Sequence, residues 1–69
     1  MNEQYEILSD NVSRYRSGII FELKDVIITP HPLTGEKFYK AVKSGTDTRL
    51  ANIRSRGRNI NGIEEYEVL

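Results

Sequence analysis

Asn61-Gly62 constrains this chain more than any other pair of its residues. An Asn-Gly dipeptide accepts the two consecutive positive φ angles of a type I′ turn, and here it separates two stretches with strand-like alternation. A two-residue loop at 61–62 therefore predicts a β-hairpin, and its register follows. Ile60 faces Ile63, Arg58 faces Glu65, Gly57 faces Tyr66, Arg56 faces Glu67 and Ser55 faces Val68. In that register two guanidiniums meet carboxylates on one face. On the other face a large ring covers a glycine and shields its bare backbone, so the Tyr66 face is expected to be the inner one.

The rest of the chain is assigned around this hairpin. Tyr5-Glu6-Ile7-Leu8 alternates as a first strand, with Tyr5 and Ile7 on one face, and Ser9-Asp10-Asn11 follows as a turn. Residues 12–17 show no clear period and are assigned to a loop or ragged strand. The main hydrophobic run, residues 18–29, is β-branched and aromatic, which favours strand over helix. Its phase slips at Lys24-Asp25, where a bend in one long strand is preferred to a tight turn. Pro30 and Pro32 end it. Residues 37–43 fit two descriptions. As a helix, Thr34 caps it, Phe38, Ala41 and Val42 form an apolar stripe, and Gly45 lies just past the end. As a strand, which is preferred, the segment pairs back on residues 20–28. Residues 48–60 then supply the basic strand of the hairpin, with Ala51, Ile53, Ser55 and Gly57 inward.

These elements predict an all-β fold, a five-stranded antiparallel meander curled into a small SH3-like barrel, or one of OB-like size. The alternative is α+β with a short helix at about 35–44. The acidic-aromatic signatures of signalling SH3 domains are absent, as are Sm and RNP patterns, so the analogy is one of architecture alone. One internal echo stands out: Glu3-Gln-Tyr-Glu-Ile-Leu8 matches Glu64-Glu-Tyr-Glu-Val-Leu69 at four of six positions. It is too short for a repeat architecture, and its plain explanation is two amphipathic strands built from similar residues.

At 69 residues the chain is a single domain, 1–69, of a size that buries only roughly 60% of its extended surface. It has no cysteine, which excludes disulfides and thiolate metal sites and is compatible with a cytoplasmic location. The first residues carry no signal-peptide pattern, and no apolar run has the length of a membrane span, so no membrane association is expected. Asn11-Val12-Ser13 matches the glycosylation pattern only by accident in such a chain. Net charge is zero, but residues 34–58 hold seven bases against two acids while residues 1–13 hold acids alone.

Little points to catalysis, a cofactor or a metal. His31 is the only histidine, sits between two prolines and is assigned a structural or incidental role. Glu64, Glu65 and Glu67 do not converge as an acid–base pair, because neighbouring strand residues face opposite ways. Residues 57–62 have glycine spacing like a phosphate loop, but Ile63 and Glu64 stand where a lysine and a hydroxyl are required. Thr46-Asp47-Thr48 would need acids from elsewhere to hold an ion. The candidate binding face is Arg54, Arg56 and Arg58, spaced about 7 Å apart by the strand period, close to successive phosphates. Lys37, Lys40 and Lys43 would extend it, and Tyr15, Phe38 or Tyr39 would supply stacking. Against this, Glu65 and Glu67 oppose two of the arginines.

The expectation is therefore a non-enzymatic domain acting through protein–protein interaction, a regulator or inhibitor of a larger complex. Its edge strands, the first strand and residues 37–43, would also allow self-association into a homo-oligomer. A nucleic-acid-binding module using the basic face is the alternative.

Overall fold

The computed structural model describes residues 3–69 and shows an α+β fold in place of the expected all-β barrel. Helix α1 spans Glu3–Val12, strand β1 Ile20–Phe21, helix α2 Pro32–Ser44, strand β2 Ile53–Arg58 and strand β3 Glu64–Val68; 3-10 turns occupy Leu23–Asp25 and Thr48–Leu50. The three strands form one antiparallel sheet in the order β1-β3-β2, which does not close. Among the described residues no helix is long and apolar enough to cross a membrane.

Where a first strand was expected there is a helix, because Tyr5, Leu8, Ser9 and Val12 are the buried residues of α1. Their spacing is i, i+3, i+4, i+7, the stripe of a helix rather than the alternation of a strand. Glu3 and Glu6 lie in its first turn, where the helix dipole favours acids.

Residues 37–43 are likewise helical and not an edge strand. Pro32 occupies the first turn of α2, where a missing N–H costs nothing, and the preceding His31 caps it: Leu33 N donates to His31 Nδ1 at 3.0 Å. Thr34, the cap of the shorter helix considered from the sequence, is buried instead. At the other end Gly45 adopts φ 68° and donates its N–H to Ala41, a left-handed cap that glycine takes without strain. The prolines thus start a helix as well as ending what precedes it. Gln4 ties the approach to α1, accepting from His31 N and donating to the Thr29 carbonyl.

The long strand expected over residues 18–29 is only two residues in length. Its phase slip at Lys24-Asp25 is a 3-10 turn capped reciprocally by Glu22 and Asp25, not a bend in a continuing strand.

The hairpin forms, with a different turn and register. Asn59 N donates to Ile63 O and Gly62 N to Asn59 O, closing a three-residue loop, 60–62, in which only Gly62 has positive φ. The Asn59 side chain fixes it by accepting from the backbone N–H groups of Asn61 and Ile63. The register near the turn is therefore Arg58↔Glu64 and Gly57↔Glu65. A bulge at Arg56, beside Gly57 with φ 85°, shifts it again to Ser55↔Tyr66, Arg54↔Glu67 and Ile53↔Val68. Tyr66 consequently does not cover Gly57. Its face is nonetheless the inner one, as expected.

The core lies between the helices and the inner face of the sheet. Tyr66, on the central strand, stacks on Phe21 with centroids 5.6 Å apart and meets Phe38 of α2 edge-on at 4.9 Å. Tyr15 meets Phe21 edge-on at 5.3 Å. Such ring pairs contribute about 0.5–1.5 kcal/mol each beyond area burial. Leu8, Val12, Ala41, Leu50, Ile53 and Val68 fill the space around them.

Candidate functional site

The six candidate basic residues do not form one open face. Lys37, Lys40 and Lys43 ride on α2, which packs on the inner side of the sheet, whereas Arg54 and Arg56 lie on the outer side with Glu65 and Glu67. Most are already engaged. Lys37 Nζ lies 4.5 Å from the Tyr5 ring centroid, Lys40 pairs with Glu36 at 3.3 Å, and Lys43 lies over Tyr39. Arg54 and Arg56 both reach the Glu67 carboxylate, and Arg56 also approaches Glu65 at 3.9 Å. The hydrogen bond from Arg54 is the main reason the Glu67 carboxyl sits below its ordinary range. Stacking partners are equally committed, since Phe38 is fully buried and Tyr15 packs on Phe21.

Arg58 is the exception. Among the described residues it has no ion pair and no side-chain hydrogen bond, and the bulge at Arg56 is what separates it from its neighbours. Without the extra residue, Arg54 and Arg58 would share a face. With it, Arg58 stands opposite Glu64, on the same side of the sheet as Tyr66.

There it lines an open groove of about 670 Å³. One wall is α2, through Gly35, Glu36 and Tyr39; the other is the hairpin, through Arg58, Gly62, Ile63 and Glu64. Leu23, Lys24 and Pro30 also line it, and the almost wholly buried Tyr66 forms part of the floor. The hydrogen bond from Asn59 Nδ2 to Glu22 at 2.5 Å ties the hairpin to the residue that precedes the Leu23–Asp25 turn, while a second, to Glu65 at 3.4 Å, stays within the hairpin. The Tyr66 side chain is 1% exposed, yet its hydroxyl has no hydrogen-bond partner among the described residues. Burial, reinforced by the nearby Glu64 and Tyr39, pushes its pKa well above the ordinary tyrosine range, so it remains a neutral donor.

The other concentration of charge is a structural clamp. Asp47 accepts two hydrogen bonds from the Arg49 guanidinium, at 3.0 and 2.8 Å, and one from the Tyr5 hydroxyl at 2.7 Å. Arg49 continues to Glu6 of α1 at 3.0 Å. The Arg49 hydrogen bonds hold the Asp47 carboxyl far below its usual range, and Asp47 in turn holds Arg49 charged. With its donors and acceptors turned on one another, this cluster fastens α1 to the turn before β2. Among the described residues no three His, Asp or Glu side chains converge as metal ligands would.

Of the groove residues, Arg58 and, as a stacking ring, Tyr39 were candidates from the sequence. Glu36 and Tyr39 share a wall because residues 32–44 are helical, and three residues apart then means one face. That signal was present in the helical description of the segment. The bulge that turns Arg58 inward has no comparable signature beyond Gly57. No protein-family model, curated protein or solved structure matches the chain.

Proposed function

We propose that this is a non-enzymatic binding domain that docks a segment of a partner protein in the groove between α2 and the hairpin. The observation that carries this reading is the Tyr66 hydroxyl, without a hydrogen-bond partner among the described residues and not sealed from solvent, on a ring that lines a groove large enough for several side chains. The surroundings suit a macromolecule better than a small metabolite. Ile63 and Tyr39, both partly exposed, line the groove together with Leu23 and Pro30. Apolar and aromatic lining of this kind in an open cleft suits side chains of a protein segment. Nucleic acid is the weaker candidate, because five of the six basic residues proposed for it are held by rings or carboxylates.

A test is to pan a random displayed peptide library on the domain and on Gly35→Met. Gly35 has an ordinary helical φ, and a Cβ there meets only Leu23 Cδ1 at 3.6 Å, so a flexible side chain can fill the groove without straining the backbone. Peptides that bind the native domain and not Gly35→Met are expected. Enrichment indifferent to this substitution, or none at all alongside tight, salt-sensitive oligonucleotide binding, would overturn the proposal.

A further inference from the structure

We infer that the groove selects a protein segment carrying a carboxylate next to an apolar side chain, with the Arg58 guanidinium binding the carboxylate. The inference rests on the groove being a peptide-docking site. Its basis is a guanidinium whose donors have no partner among the described residues. Strand pairing sets Glu64 directly opposite Arg58, the arrangement that normally gives a cross-strand ion pair. Here Glu64 accepts a short hydrogen bond from the Ser55 hydroxyl instead and forms no ion pair with Arg58.

The remaining charges of the groove are engaged elsewhere. Lys24 pairs with Glu22 at 3.4 Å, and Glu36 with Lys40 at 3.3 Å. Arg58 is therefore the cation with an open coordination fork, and a planar carboxylate matches that fork through two parallel hydrogen bonds. The Tyr66 hydroxyl adds a neutral donor at the floor, and Leu23, Tyr39 and Ile63 offer apolar contact beside it. The nearby Glu64 disfavours a ligand that is merely highly charged, so a single carboxylate flanked by apolar surface fits better than an acidic run.

The experiment uses the best groove-dependent peptide from the panning and its twin, in which the Asp or Glu is replaced by Asn or Gln. Titration of both against the native domain and Arg58→Gln completes a double-mutant cycle. The amide twin should bind the native domain about tenfold or more weakly, and the two peptides should bind Arg58→Gln nearly equally. Groove-dependent peptides with no acid, an unimpaired twin, or an acid effect that persists in Arg58→Gln would overturn the inference while leaving the docking groove standing. Absence of any peptide sensitive to Gly35→Met would remove both. The twin measured on the native domain alone still decides the carboxylate's role should Arg58→Gln fold poorly.

Discussion

Residues 3–8 and 64–69 are near copies, yet the first opens helix α1 and the second forms the central strand β3 and its exit. Their tyrosines, Tyr5 and Tyr66, are both buried, and the two apolar residues that follow exchange roles. In the helix Ile7 is 55% exposed and Leu8 fully buried; in the strand Val68 is 5% exposed and Leu69 56%. A helix returns to the same face three residues after the tyrosine, and a strand after two. The hexapeptide is compatible with either. What decides is the longer context: Ser9 and Val12 continue a helical stripe after the first copy, while β1 and β2 supply pairing on both sides of the second. Backbone bonds from Gly18 and Leu69 and the bond from Val68 N to Ile19 O carry that pairing to the strand's end.

The largest expected effect comes from the second tyrosine. Tyr66→Ala removes the ring shared by Phe21 and Phe38, and chemical denaturation should show a loss of about 3–5 kcal/mol. A loss below about 1 kcal/mol would break the claim that the strand copy anchors the core.

Next come the exchanged positions. Leu8→Ala should cost about 2–5 kcal/mol, whereas Leu69→Ala, at the matching place in the other copy, should stay within about 0.5 kcal/mol. Val68→Ala should cost more than Ile7→Ala even though valine is the smaller side chain. Equal losses within either pair would mean that the copies are buried alike.

Removing only the hydroxyls sharpens the contrast further. Tyr5→Phe takes a donor from the Asp47 carboxylate and should cost about 1–2 kcal/mol, at the low end for such a bond because Arg49 still holds the acid. Tyr66→Phe breaks no hydrogen bond among the described residues and should change stability by no more than about 0.5 kcal/mol.

The last of the series is a dependence on pH. The folded Asp47 carboxyl titrates below its unfolded counterpart, which sits at about 4. Its stabilisation is therefore complete above that value and is lost as pH falls further towards the folded pKa. Asp47→Asn should flatten the acid limb of a stability profile, and an unchanged limb would show that the clamp on the helix copy does not depend on that charge.

The same contrast explains what could be seen in the sequence. The hairpin and its inner residues Ile53, Tyr66 and Val68 were legible, and they remain so despite a wrong register. The pairing slips by one residue at the turn and by one more at the bulge, so the total shift of two restores Ile53, Arg54 and Ser55 to their expected faces while Gly57 and Arg58, shifted by one only, exchange theirs. The turn itself misled because Asn59, not Asn61, takes the bonding role, leaving only Gly62 to adopt positive φ. Helix α1 was missed because four residues beginning at Tyr5 alternate like a strand, and the stripe declares itself only when Ser9 and Val12 are included. The groove was beyond reach, since it depends on how α2 lies against the hairpin and on the bulge that redirects Arg58.

The most direct test of the account is the backbone conformation of the two copies in one sample. Carbon chemical shifts assigned by NMR should depart from random-coil values in the helical direction over residues 3–8 and in the opposite, strand direction over residues 64–68. Deviations of the same sign in both segments would contradict the claim that context, rather than the hexapeptide itself, sets the fold.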